Sequence, residues 1–363
     1  MKSNSLFKLY IYIITYLTAA MKNDIFNAEQ FIRIGEPIMQ SEFNRILIRT
    51  GYSTEKAAKL AFVFTTNSLE GVYSHGVNRF PRFIKNTIEG FIVPDAVPEL
   101  VHKSGCMEQW NGNLGPGPLN AEIASNRAID LASVNSLGMV ALANTNHWMR
   151  AGAYGWLAAR RGFIFICWTN TCPNMPAWGG KDPRIGNNPM VIAVPYRNDA
   201  IVLDFAMSQF SYGKLETYRD AGKMLPFPGG YNNRGELTSD PAEILNSWRI
   251  LPTGYWKGSS LSLMLDILAA VLSGGISVHE IKSCASENGL SQVFMAIDPG
   301  KLFNSTLIDG TIDNIINDLH HSVSAEEDSK VRYPGENTFS IREENLRSGI
   351  PVKKEIWEKI LEL

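Results

Sequence analysis

Several absences narrow the field before any motif is read. The chain has no run of about 20 apolar residues, the length a helix needs to cross a bilayer. The nearest approach, residues 9–20 (LYIYIITYLTAA), is too short. Cysteine is scarce: Cys106, Cys167, Cys172 and Cys284 include no pair with a two-residue gap. That spacing excludes a zinc knuckle or a redox dithiol and predicts four reduced thiols in a reducing compartment. No basic excess exists, since 34 Lys and Arg face 36 Asp and Glu for a formal charge of -2. A nucleic-acid binder is therefore not expected, and anionic ligands must be drawn in by local charge. His320-His321 has no second ligand pair at helical spacing, so it reads as surface and no metal is expected. A G-x-G-x-x-G turn is missing too. Gly115-Pro116-Gly117 lacks the third glycine and, on pattern, the helix behind it. A standard Rossmann domain and a phosphate loop are both unsupported.

What is present is an ordinary globular balance, 45% apolar and 19% charged over 363 residues. That length suffices for more than one core. Lys2 and Lys8 precede the apolar stretch at residues 9–20, in the manner of a signal peptide. Met21 then restarts a polar stretch, and the rest of the chain reads as cytosolic. The alternatives are an export signal and a dispensable extension of a cytoplasmic protein.

Hydrophobic periodicity predicts helices within residues 24–70, where Phe43, Ile46, Leu47, Ala57, Leu60 and Ala61 recur at helical spacing. A further helix is expected over 79–89, with Phe80, Phe83, Ile84 and Ile88 on one side. The middle alternates: strand 138–143, helix 150–161 and strand 163–169, a crossover unit. Strands follow at 190–195 and 201–205. Residues 223–253, rich in Pro, Gly and Asn, read as a long functional loop. An apolar helix over 258–272, a strand over 292–297 and a helical tail complete the pattern.

Three segments could carry chemistry. Residues 73–83 (YSHGVNRFPRF) place His75 between Ser74 and Gly76, with Arg79 four positions on. On a helix these two share a face, and the pairing suits a keto acid: imidazole for the proton, guanidinium for the carboxylate. Taken alone, such a pair can equally be structural. Residues 144–150 (NTNHWMR) follow a predicted strand, the edge where open α/β sheets bind ligands. His147 and Arg150 are candidates there, although a loop histidine can simply cap the next helix. Trp256-Lys257-Gly258 sets a formal charge at a helix start, where an anion could sit or where the lysine could merely be solvated.

Together, residues 72–83, 144–156, 184–189 (RIGNNP) and 250–259 (ILPTGYWKGS) resemble the malate/L-lactate dehydrogenase family of non-Rossmann type, from about Arg33 to the C-terminus. The Trp148-Met149-Arg150 run favours a subgroup acting on a diketo sugar acid. The resemblance implies an α/β fold: a mixed sheet in a family-specific NAD(P)-binding domain over 106–299. A largely helical domain would come from 33–105 and 300–363, after an N-terminal extension at 1–32. It implies an oxidoreductase acting on a 2-keto or 2-hydroxy acid, with NADH or NADPH as cofactor and a homodimer as the assembly.

By residue, His75 would be the proton donor, with Ser74, Arg79, His147 and Arg150 around the substrate. Cofactor contacts would come from Ala200, Ile201, Val202, Leu203, Asp204, Phe205 and Ala206, from Trp256 and Lys257, and from Gly335, Glu336 and Asn337. The last segment departs from the Gly-His-Glu of that subgroup, and Asn187, Ala177 and Gly180 also depart from its usual residues. Malate, L-lactate or ureidoglycolate as substrate, or a silent paralogue that only binds sugar acids, are the competing readings.

Overall fold

The computed structural model describes residues 30–281, 286–301, 305–325 and 330–363. The apolar stretch at 9–20, with the rest of the expected extension up to residue 29, lies outside them.

The chain opens with β1 (Phe31–Ile34), α1 (Glu36–Arg49), α2 (Thr54–Leu69), a 3-10 turn (Tyr73–His75) and α3 (Phe80–Ile88). Next come β2 (Glu99–Ser104), β3 (Met107–Asn111), α4 (Gly117–Asn135), β4 (Leu137–Asn146), α5 (Gly152–Ala159) and β5 (Ile164–Thr169). Short β6 (Met175–Pro176) and β7 (Pro183–Ile185) lead to β8 (Met190–Tyr196), β9 (Asp199–Phe205) and α6 (Tyr212–Asp220). Then follow β10 (Gly230–Tyr231), β11 (Leu237–Thr238), α7 (Pro241–Ser247), α8 (Trp256–Ser273) and β12 (Asn288–Ile297). The tail is α9 (Ser305–His320), α10 (Thr338–Ser348), β13 (Ile350–Lys353) and α11 (Lys354–Leu361).

A seven-stranded sheet, ordered β2-β3-β4-β12-β5-β8-β9, forms the centre. Only β3 and β4 pair in parallel; the other neighbours are antiparallel. The β4–α5–β5 crossover expected from sequence is present with one refinement. β12, from far along the chain, inserts between the two strands and runs antiparallel to both. β8, antiparallel to both its neighbours, alternates in burial over most of its length, whereas β12, central in the sheet, is buried continuously through its middle.

Two apolar cores flank the cleft between the sheet and the helices. On one side Trp148, Tyr154, Phe165 and Phe294 fill the space between sheet, α4 and α5. On the other, Phe43, Phe64, Phe80 and Phe83 join α1, α2 and α3 to the C-terminal Ile350, Val352 and Trp357. The rings of Phe43 and Phe80 stack 4.0 Å apart. Burying each such ring stabilises by about 1.5–3 kcal/mol. The β1–β13 pairing ties the first described strand to the last, through Phe31 opposite Lys353 and Ile34 opposite Ile350. This joins helices from both ends of the chain in one core.

Three expectations need correction. A helix does follow Gly115-Pro116-Gly117: α4 starts at Gly117. Its buried face includes Gly117, Asn120 and Ser125 among small alanines, so it shows no strong apolar stripe. Residues 223–253 are not one loop, because they hold the β10–β11 hairpin and α7, capped by the Asp240 side chain. Finally, the cysteines are not all reduced. Cys172 is disulfide-bonded, whereas Cys106 and Cys167 are free and Cys284 lies outside the described residues. Spacing tests only local cysteine pairs, and pairing over distance is set by the fold. Among the described residues no helix is long and apolar enough to cross a membrane.

Candidate active site

The Ser-His-Gly turn is built by close approach. α2 presents Ser68, whose Oγ accepts the Val77 N–H at 2.8 Å, and Asn67, whose Nδ2 donates to the His75 carbonyl at 3.0 Å. A Cβ at Gly76 would lie 2.2 Å from Ser68 Oγ and 2.8 Å from the Ser68 backbone nitrogen. Only glycine lets the turn sit this deep. The chain then enters α3, which carries Arg79 as its N-cap and buries Phe80, Phe83 and Ile84. Seating those side chains in the core leaves Arg79 and Arg82, three apart on the helix, to border the cleft.

His75, Arg79 and Arg82 face the end of β4 across a cavity of about 900 Å3. The rings of His75 and His147 stack with centroids 5.6 Å apart and planes 19° from parallel. Ser74 Oγ lies 3.1 Å from His75 Nδ1. His147 Nδ1 accepts the Met149 N–H at 3.0 Å, so neutral His147 carries its proton on Nε2. Burial, then the charges of Arg79 and Arg150, lower the His75 pKa from 6.5 to about 4. Burial also holds His147 well below its usual value, helped by Arg79, His75 and Arg82. At neutral pH both rings are uncharged.

The guanidinium groups differ in how they are held. Arg79 sits 3.5 Å from Glu287, whose other oxygen accepts the Cys172 N–H at 2.9 Å. Burial, followed by the like charge of Arg82, lowers the Arg79 pKa to about 10. Arg150 is closely paired with Glu70, which also binds Arg342 of α10 at 3.0 Å. Glu287 is 208 residues from Arg79, and no local signal in the sequence points to it. Arg82 did have one, its helical spacing from Arg79.

The other end of the cavity is formed by β9 and the segment before α10. Val202, Leu203, Asp204, Phe205 and Ala206 border it, as does Gly335. Asp204 Oδ2 accepts the Gly152 N–H at 2.7 Å at the start of α5. Asp204 faces the open cavity, and desolvation by the surrounding walls raises its pKa, opposed by that hydrogen bond and by Arg150. Gly335, at φ +89°, brings its backbone against Trp156, where a Cβ would lie 3.1 Å from the ring. Pro334 accepts the Val202 N–H. This leaves a glycine-floored apolar slot beside a carboxylate, a shape that fits the flat ring and ribose of a dinucleotide.

Of the residues singled out from sequence, Ser74, His75, Arg79, His147 and Arg150 all border this cavity. Ala200 and Ile201 lie on β9 but not on the cavity wall. Trp256 and Lys257 start α8 outside it, with Trp256 exposed. Glu336 turns away to pair with His320, and Asn337, at the N-cap position of α10, accepts from the Ser340 hydroxyl. Asn174 and Asn187, bonded to each other at 2.9 Å, together with Tyr212 and Trp248, complete the wall.

The chain is similar to known dehydrogenases and reductases over most of its length. A profile described as malate/L-lactate dehydrogenase matches residues 36–361. The chain is 45% identical to 2,3-diketo-L-gulonate reductase of Citrobacter koseri, covering 89% of this chain and 97% of that one. It superposes on malate dehydrogenase from Pyrococcus horikoshii with a TM-score of 0.83 at 28% identity, covering 92% and 95% of the two chains. Sulfolactate dehydrogenase from Methanocaldococcus jannaschii matches with a TM-score of 0.83 at 28% identity, covering 91% and 95%.

Proposed function

Because this chain belongs to the malate/L-lactate dehydrogenase family of oxidoreductases, we propose that it reduces 2,3-diketo-L-gulonate to 3-dehydro-L-gulonate. The observation that carries the reading is a single cavity holding His75, His147 and Arg79 at one end and the β9–Gly335 slot at the other. The similarity to a 2,3-diketo-L-gulonate reductase supports the substrate.

When bound, a nicotinamide cofactor supplies the hydride for carbon 2 of the keto acid. Val202–Ala206 and Gly335 would hold that group, and the Asp204 carboxylate would accept from one of its hydroxyls. NADH is the form we propose, with NADPH as the comparison arm. Arg79 takes the substrate carboxylate as a charge-assisted pair. That binding has a second effect. The Arg79 charge helps hold His75 unprotonated, so compensating it lets the imidazole take up a proton more readily. As the carbonyl π pair moves onto oxygen, His75 delivers the proton that makes the 2-hydroxyl. His147, stacked on it with Nε2–H free to donate, orients the same oxygen.

A homodimer is part of the reading. α8 exposes Leu261, Met264, Ile267, Leu268 and Val271 along one side, an apolar stripe that a second copy would cover.

The test is a steady-state panel of keto acids with NADH and with NADPH. Fastest turnover of 2,3-diketo-L-gulonate is expected. Faster turnover of pyruvate or oxaloacetate would overturn the substrate, and no oxidation of either cofactor with any keto acid would overturn the activity.

A further inference from the structure

Arg82 stands in the cavity wall with no ion-pair partner among the described residues. Arg79 is matched by Glu287 and Arg150 by Glu70. Among the described residues no carboxylate lies within ion-pair distance of Arg82, and its buried Nη2 makes no hydrogen bond. Leaving a buried guanidinium nitrogen unpaired is costly. Arg82 borders the same cavity, and it is near enough for its charge to depress both Arg79 and His147. A group arriving through the cavity is therefore its natural counterpart.

Resting on the reading above, we infer that Arg82 is a specificity residue which binds an uncharged oxygen on carbon 3 or beyond, in the substrate's tail. Two features favour an oxygen-rich neutral tail over a second carboxylate. First, Glu216 borders the same wall and is close enough for its charge to act on Arg79. A second substrate carboxylate would meet this acid, whereas hydroxyls can donate to it and accept from Arg82. Second, the wall formed by Ser74, Asn78, Ser211, Gly213 and Glu216 is shared with an adjoining cavity of about 610 Å3. A polyol chain longer than three carbons has room to extend there, while a three-carbon acid held at Arg79 does not need it.

The test compares wild type, Arg82→Gln and Arg82→Lys, each loaded with NADH, by calorimetric titration with L-gulonate, oxamate and L-malate. L-Gulonate carries hydroxyls from carbon 3 onward, oxamate has no tail, and L-malate has a second carboxylate. Arg82→Gln should weaken L-gulonate about tenfold to a hundredfold, the worth of one charge-assisted hydrogen bond. Its effect on oxamate should be at least tenfold smaller. Arg82→Lys, which keeps the charge but not the fork, should bind L-gulonate with intermediate affinity. Equal weakening of L-gulonate and oxamate, no weakening of L-gulonate, or a larger loss for L-malate would each overturn the assignment. Failure of wild type to bind L-gulonate would overturn it too. The proposed activity stands or falls separately, on wild-type turnover of 2,3-diketo-L-gulonate.

Discussion

Part of the acid sensitivity of the fold should trace to His75. Its pKa falls from 6.5 to about 4 on folding, through burial first and then the charges of Arg79 and Arg150. Between these two values the unfolded chain binds a proton that the folded chain refuses. Stability from this group is therefore complete above pH 6.5 and is lost as pH falls toward 4, a swing of about 3 kcal/mol. His75→Gln keeps a polar side chain of similar reach but cannot titrate. Urea unfolding at pH 7, 5.5 and 4, followed by tryptophan fluorescence, should show wild type losing about 3 kcal/mol relative to this variant. Carboxylates remote from the site titrate in both proteins and cancel, whereas His147, stacked on His75 and depressed in part by it, is removed as a variable by making the same comparison in a His147→Gln background. If the difference between the two proteins stays constant across that range, the ring is not held neutral by its surroundings. The electrostatic account of the site would then fail.

Three further outcomes are expected. His75→Ala should lower kcat by about 10²–10⁴-fold, the range for a positioned acid, and an unchanged rate in the keto-acid assay would remove it from that role. Gly76→Ala forces a Cβ against Ser68, so it should lower the melting temperature and reduce kcat together. A variant with wild-type values of both would show that the turn has slack. Arg150→Met leaves Glu70 with Arg342 alone. It should destabilise by about 2–4 kcal/mol in urea, near the range for breaking a buried pair, and no loss would show the pair to be energetically idle.

Local chemistry was legible from the residues alone. Periodic apolar positions marked α1 to α3, because a helix must bury one face whatever its partners are. His75 and Arg79 stood out because their pairing suits a keto acid, His147 because it follows a strand, and Ser74 only through the family resemblance; the fold brings all four to one cavity. The missing glycine fingerprint excluded the common dinucleotide domain, and the observed mixed sheet is consistent with that. Long-range placement was not legible. β12 wedged between β4 and β5, β1 paired with β13, and Glu287 beside Arg79 join residues far apart in the chain. α4 was missed because its buried side is small and polar rather than striped. The same limit applied to charge. Arg79, Arg82 and Arg150 are alike on paper, and only folding gave Arg150 to Glu70 and left Arg82 unpaired. A sequence states which groups exist, but burial and distance decide which of them is satisfied, and those arise only when distant segments meet.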